Sequence, residues 1–273
     1  MLCVFDLDGV VWLAGKPIEG SARAVQRLRD AGASVVFVTN NSTPTLEDYV
    51  GRLARAGVDA HAGELATSAQ AAATLLCAGD RVAVLGGPGL VEAVAGSGAE
   101  VVPLDRDPVA VVVGRTADFD FAQLAVASRV IRGGARFIAT NTDATFPTPG
   151  GLEPGAGALV AFIEVASGQT PEIAGKPNLA MAKLVAGRYG VPDVVIGDSP
   201  KTDGAFAKLL GSPFALVLSG VTRREDLPVD PPGDLVSTDA AEAVEAILAG
   251  RVAAAVRGEG AGAANEQNAS AGG

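Results

Sequence analysis

The chain has 273 residues, 48% hydrophobic and 19% charged, a balance that suits a well-packed globular protein and excludes a disordered one. Lys and Arg total 21 against 31 Asp and Glu, and the net charge of -10 argues against nucleic acid and against an anionic membrane surface, both of which call for a basic face. The single histidine, His61, and two cysteines, Cys3 and Cys77, are too few for a His/Cys zinc site or a disulfide framework. With no basic leader and no run of 18 apolar residues, a cytoplasmic protein is expected, and any chemistry falls to carboxylates, hydroxyls, amides and lysines.

In chain order, the apolar run from Leu2 to Phe5 reads as a buried strand ending in Asp6-Leu7-Asp8-Gly9. An amphipathic helix follows over Ser21 to Ala31, with Ser21 as its expected N-cap and Gly32 as its stop. Ser34 to Val38 is a second buried strand, ending in Thr39-Asn40-Asn41-Ser42. Helices are predicted over Leu46 to Ala56 and Thr67 to Leu76, then a strand over Arg81 to Leu85 and a helix over Gly89 to Ala95. Strands at Val101-Val102, Ala110 to Val113 and Arg136 to Thr140 enclose a helix over Phe121 to Ile131. Asn141 to Gly157 is rich in Pro and Gly and reads as turns. Helices at Ala158 to Ala166 and Leu179 to Tyr189 precede a strand over Asp193 to Ile196, which ends in Gly197-Asp198. Phe206 to Leu210, Phe214 to Leu218 and Ala240 to Leu248 read as helix, strand and helix. This alternation predicts an α/β fold on a parallel sheet. Residues 251–273 carry few large apolar groups and are expected to be a disordered tail.

Polar residues collect at three strand ends: Asp6 with Asp8, Thr39 with Asn40, and Asp198 with Asp203. Ligands of open parallel sheets bind beyond the carboxyl ends of the strands, so these groups are expected to converge. Asp6 and Asp8 are two apart and point to one side of an extended segment, where they repel unless a cation or proton lies between them. Three acids without histidine suit a hard, oxygen-liganded ion, and Mg2+ is the natural choice. Thr39 and Asn40 offer donors to an anion, and Lys176, in Gly175-Lys176-Pro177, offers the missing positive charge. Together they describe a phosphate site in which one aspartate can be the nucleophile. Gly86-Gly87-Pro88-Gly89 lacks the spacing of a dinucleotide loop and reads as a turn, and His61 reads as an exposed linker residue.

Asp6-Leu7-Asp8-Gly9-Val10, Val38-Thr39-Asn40-Asn41, Gly175-Lys176-Pro177 and Gly197-Asp198-Ser199-Pro200-Lys201-Thr202-Asp203 resemble, in order, the four motifs of the haloacid dehalogenase-like hydrolases. The 30 residues between Asp8 and Thr39 leave room for a flap and a helix, whereas the 136 between Thr39 and Lys176 hold a whole cap domain. That pattern, with Phe137 to Asp143 and Pro154 to Ala158, is similar to the NagD-like, p-nitrophenyl-phosphatase branch.

The resemblance implies a Rossmann-like doubly wound core over 1–79 and 169–250, with an inserted α/β cap over 80–168. It also implies a Mg2+-dependent phosphatase acting on a small phosphorylated metabolite, with p-nitrophenyl phosphate as an artificial substrate. Asp6 would be the nucleophile and Asp8 the general acid and base. Mg2+ would be held by the Asp6 carboxylate, the Asp8 backbone carbonyl and Asp198, with Asp203 behind them. Thr39, Asn40, Asn41 and Lys176 would bind the phosphate. Ser199 stands where many relatives have Arg, and Lys201 falls near the expected metal; both are expected to alter the rim of the site. A phosphotransferase of the same superfamily and a non-catalytic phosphometabolite-binding protein are the competing readings. The cap is expected to select the leaving group, with the loop from Asn141 to Gly151 touching it, and to carry a homodimer contact.

Overall fold

Short, nearly continuous apolar runs build the first sheet of the structure, a computed structural model that describes residues 1–252. Leu235–Ser237, Phe214–Val217, Val194–Gly197 and Leu2–Phe5 lie side by side in that order, all parallel, with Phe5 opposite Ile196, Ile196 opposite Ala215 and Leu216 opposite Val236. Val194–Gly197 and Phe214–Val217 are buried at every residue, as strands covered on both faces require. These strands belong to a compact unit that holds, among the described residues, Met1–Leu13, Pro17–Val35 and residues 191–252. Helices Ser21–Asp30 and Ala240–Leu248 pack together there, with Arg27 paired to Glu245 at 3.1 Å on the exposed edge. The first helix is capped by Gly20 at φ 85° rather than by Ser21. Ser21 is instead buried, and its hydroxyl donates to the Val10 carbonyl at 2.7 Å, tying the helix to the turn after the first strand.

The second unit comprises Ala14–Lys16 and Val36–Gly190. Its main sheet has five parallel strands in the order Glu172–Ile173, Arg136–Ala139, Ala110–Val113, Arg81–Leu85, Glu100–Val101. Ala110–Val113, central and fully buried, reads AVVV without alternation, and β-branched side chains of this kind pack well on a pleated surface. Helices Phe121–Arg132 and Ala156–Ser167 lay Leu124, Ala127, Ile131, Leu159, Val160 and Ile163 on the same core as Val111, Val113 and Phe137. Ser34–Thr39, from Val36 onward in this unit, pairs in parallel with Leu65–Thr67, so that Thr39 lies opposite Thr67. Reciprocal capping pairs start three of the unit's helices: Thr45 with Asp48, Thr67 with Gln70 and Asp120 with Gln123.

The structure departs from the sequence reading at several places in this unit. The helix expected over Thr67 to Leu76 is shorter, Ser68–Ala73: Thr67 ends the strand Leu65–Thr67, and at the other end the Leu75 and Leu76 N–H groups turn back to the Ala72 and Ala73 carbonyls. The Pro- and Gly-rich stretch holds an antiparallel hairpin, Thr145–Thr148 with Gly151–Pro154, turning at Pro149-Gly150 with Gly151 at φ 117°. Gly86-Gly87-Pro88-Gly89 opens helix Pro88–Gly96, and a Cβ on Gly89 would fall on the Pro44 carbonyl oxygen, so that position has room only for glycine. His61 is exposed, as expected. The expected tail falls, from residue 253 on, outside the described residues; Val252 itself is buried.

Candidate active site

The first unit gathers carboxylates at the carboxyl ends of two adjacent strands. Asp6 continues Leu2–Phe5, its N–H donating to the Ile196 carbonyl at 2.9 Å, and Asp198 follows Val194–Gly197. The chain then makes a wide helical turn, Pro200–Gly204, that brings Asp203 back. One carboxylate oxygen each from Asp6, Asp198 and Asp203 lie within 4.8 Å of one another, and all three residues are buried. Asp203, expected behind the metal ligands, contributes its oxygen to the same group as Asp6 and Asp198.

Backbone donors and missing side chains hold these acids in place. The Val221 N–H donates to Asp198 Oδ2 at 2.6 Å, and the Thr222 hydroxyl donates to the Asp198 carbonyl at 2.6 Å. The Ser199 N–H donates to Asp203 Oδ2 at 3.1 Å, and the Asp203 N–H returns to the Ser199 carbonyl at 2.7 Å. The Ser199 hydroxyl accepts from the Thr202 N–H at 3.4 Å, so Ser199 helps shape this turn. Gly9 and Gly220 flank the Asp198 carboxylate: a Cβ on either would overlap Oδ2, and a Cβ on Gly197 would overlap Asp203. Gly9 also sits at φ 85°, where L side chains are strained.

In the turn after Asp6, the Leu7 carbonyl receives the N–H groups of Val10, Val11 and Trp12, and Leu7 is fully buried. Asp8 stays partly exposed, and its Oδ1 accepts the Trp12 indole N–H at 3.1 Å. The two aspartates of the first motif therefore have different surroundings, one among acids and one beside an indole donor. Trp12 carries no motif signature, and sequence reasoning missed it.

The second unit holds the predicted phosphate donors. Thr39 is buried at the end of its strand, and its hydroxyl oxygen accepts the Asn41 N–H at 3.1 Å. The Asn40 carboxamide pairs with the Lys176 backbone at two points: its Oδ1 accepts the Lys176 N–H at 2.8 Å and its Nδ2 donates to the Lys176 carbonyl at 3.1 Å. Nδ2 also donates to Asp143 Oδ2 at 3.2 Å. Asn41 Oδ1 accepts the Thr43 N–H at 3.0 Å, and its carbonyl accepts the Tyr49 hydroxyl at 2.7 Å. Both asparagine side chains thus shape the loop, a use the sequence reading did not assign them. Lys176 is buried, and its Nζ donates to the Val38 carbonyl at 3.1 Å. Gly175 precedes it because a Cβ there would meet Asn40 Oδ1 and the Thr140 carbonyl oxygen, each at 2.5 Å.

Comparison with known proteins decides the family. Residues 3–100 match the model of the haloacid dehalogenase-like hydrolases, and residues 173–243 match a second model of that group. A dihydroxyacetone phosphatase of Corynebacterium glutamicum is 35% identical over 80% of this chain and 80% of its own length. The chain belongs to the haloacid dehalogenase-like hydrolases. A D-glycerol 3-phosphate phosphatase of Mycobacterium tuberculosis is 38% identical over 82% of this chain, and the match spans 64% of that relative's length. Among solved structures, the glycerol phosphate phosphatase of M. tuberculosis, in complex with magnesium, superposes with a TM-score of 0.83 at 33% identity, over 89% of this chain and 75% of that one. The p-nitrophenyl phosphatase of Archaeoglobus fulgidus gives 0.84 at 30% identity, over 90% and 98%. NagD of E. coli gives 0.80 at 31%, over 88% and 96%, which sets this chain in the NagD-like branch.

Proposed function

We propose that this protein is a Mg2+-dependent phosphatase that hydrolyses a small phosphomonoester through an aspartyl-phosphate on Asp6. The observation that carries the reading is the buried group of Asp6, Asp198 and Asp203, with one oxygen from each within 4.8 Å, in a chain of this family. A close set of carboxylate oxygens with no nitrogen or sulfur donor fits a hard divalent cation. Asp6, Asp198 and the Asp8 carbonyl would hold it, with Asp203 beside them. Mg2+ bound there supplies neutralisation of the charge on the transferring phosphoryl group.

The Asp6 carboxylate attacks phosphorus, an Asp6 Oδ–P bond forms and the P–O bond to the leaving alcohol breaks. Asp8 gives its proton to that alcohol. Water then attacks phosphorus, Asp8 takes its proton, and inorganic phosphate leaves Asp6 free. The Trp12 indole N–H on Asp8 orients the carboxyl for both transfers. Thr39, the backbone N–H groups of Asn40 and Asn41, and Lys176 bind the phosphoryl oxygens. The relatives' names, D-glycerol 3-phosphate, dihydroxyacetone and acid sugar phosphatase, favour a phosphorylated polyol or sugar of a few carbons as substrate.

Residues 80–168 serve as the cap over a core of 1–79 and 169–250, and the protein works in the cytoplasm. No helix among the described residues is long and apolar enough to cross a membrane. Phe121 and Phe162 pack edge to face at 6.0 Å on cap helices Phe121–Arg132 and Ala156–Ser167 and, with Val165, expose an apolar patch that supports a homodimer through the cap. Phe121→Glu would then shift the protein to monomer in sedimentation.

Turnover of p-nitrophenyl phosphate tests the chemistry. It is expected to require Mg2+, to stop with EDTA, and to fall about a thousandfold or more in Asp6→Asn. Undiminished turnover in Asp6→Asn overturns the nucleophile.

A further inference from the structure

We propose that Asp143, on the loop leading into the Thr145–Pro154 hairpin, is a positioning residue that acts through Asn40 to seat Lys176. The inference rests on the reading above that Lys176 binds the phosphoryl group.

The Asn40 carboxamide has one acceptor oxygen and two N–H donors. In the observed orientation its oxygen faces the Lys176 N–H at 2.8 Å, and its nitrogen faces the Lys176 carbonyl at 3.1 Å and Asp143 Oδ2 at 3.2 Å. A half-turn about the last torsion would set the oxygen against that carbonyl and that carboxylate, and the nitrogen against an N–H. An ionised carboxylate only accepts, so Asp143 adds to the Lys176 N–H and carbonyl in favouring the orientation that pairs with Lys176 at two points.

The rest of the assembly is rigid enough to transmit this selection. The Asn40 carbonyl takes hydrogen bonds from the Ser68 hydroxyl and, at 2.7 Å, from Asn141 Nδ2, so its main chain is held and its carboxamide is the part left to orient. Asn141 Oδ1 accepts the Asp143 N–H at 3.0 Å, and the Asp143 carbonyl accepts the Gly157 N–H at 3.0 Å. Gly155 and Gly157 lie so close that a Cβ on either would overlap the carbonyl oxygen of Asp143 or Thr142. Asp143 is therefore fixed at the foot of the hairpin, and the path from hairpin to Lys176 is two side chains long.

The test measures the inhibition constant of inorganic phosphate and the KM for p-nitrophenyl phosphate. Asp143→Ala is expected to raise both about tenfold, the size of one charge-assisted hydrogen bond, with kcat falling less than KM rises. Asp143→Asn keeps an acceptor oxygen and is expected to stay within about threefold of wild type. In an Asn40→Ala background, Asp143→Ala is expected to add less than about twofold, because its route to Lys176 is already cut. A full tenfold effect in that background, or equal losses in Asp143→Ala and Asp143→Asn, overturns the relay. An unchanged phosphate constant in Asp143→Ala, beside a raised one in Lys176→Ala, also overturns it while leaving the phosphate reading intact. An unchanged constant in Lys176→Ala overturns both. If Asp143→Ala does not fold, Asp143→Ser takes its place in the same cycle, since its shorter side chain falls out of reach of Nδ2.

Discussion

Replacing Gly220 by alanine puts a methyl group where the Asp198 carboxylate now lies. The new Cβ would stand 1.8 Å from Asp198 Oδ2, and ordinary contact begins at 3.4 Å, so that oxygen must retreat by about 1.6 Å (3.4 − 1.8). It cannot retreat towards Gly9, whose own Cβ position already overlaps the same oxygen and whose φ of 85° marks a tight turn. The displaced carboxylate gives up the Val221 N–H at 2.6 Å, a charge-assisted hydrogen bond worth about 1.5–3 kcal/mol. If Asp198 is a cation ligand, that loss corresponds to Mg2+ activation weakened by about 10- to 100-fold. Only one side-chain end moves, so the fold loses no more than that bond, up to about 3 kcal/mol, and the melting temperature falls by up to about 10 °C. Mg2+ titrations of p-nitrophenyl phosphate turnover, with calorimetric melting of the same samples, separate the two effects. A Gly220→Ala protein with an activation constant within twofold of wild type would refute the assignment of Asp198 as a ligand held in this cradle.

Gly187→Ala is the opposite case: Gly187 lies inside helix Leu179–Tyr189 with nothing within 4 Å of the added Cβ, and the substitution should stabilise by about 0.5–1 kcal/mol, read as a raised melting temperature with unchanged turnover. Burial, helped by the nearby charge of Asp193, pushes the Cys3 thiol up from 9.0 to about 12. A raised folded value means that this contribution to stability is complete below pH 9 and is lost as pH rises towards 12, so Cys3→Ala should flatten the alkaline decline in unfolding free energy by up to a few kcal/mol. At neutral pH, iodoacetamide should label exposed Cys77 and spare buried Cys3. Asp48 is held below its ordinary value chiefly by the Thr45 hydroxyl, so its capping contribution is present above pH 3.8 and fades as pH falls through the lower folded value; Thr45→Ala should remove that part of the acid dependence.

Much of the fold is legible in the chain because its strands are unbroken apolar runs and its helices carry their own start signals. AVVV at 110–113 and the Asp120/Gln123 and Thr45/Asp48 pairs are examples in which local chemistry alone decides. Strands of two or three residues, such as Glu172–Ile173 and Leu235–Ser237, are too short to show a period, and only a neighbouring strand makes them strands. The hairpin from Thr145 to Pro154 was hidden by Pro147 and Pro154, which read as breakers until an antiparallel partner exists for the stretch.

The acid inventory, the Thr-Asn-Asn end and the lysine before proline were determined by the sequence alone, since composition left no other groups to carry the chemistry and spacing left room for one large insertion. What each of those groups does was decided by the tertiary structure. Whether Asp203 returns to Asp6 and Asp198 depends on one wide turn, Pro200–Gly204. That the Asn40 carboxamide is taken up by the Lys176 backbone and by Asp143, 103 residues away, is set by packing. A residue type states which bonds a side chain can make; the partner that takes up each bond is set by how distant segments pack, and no local pattern carries that.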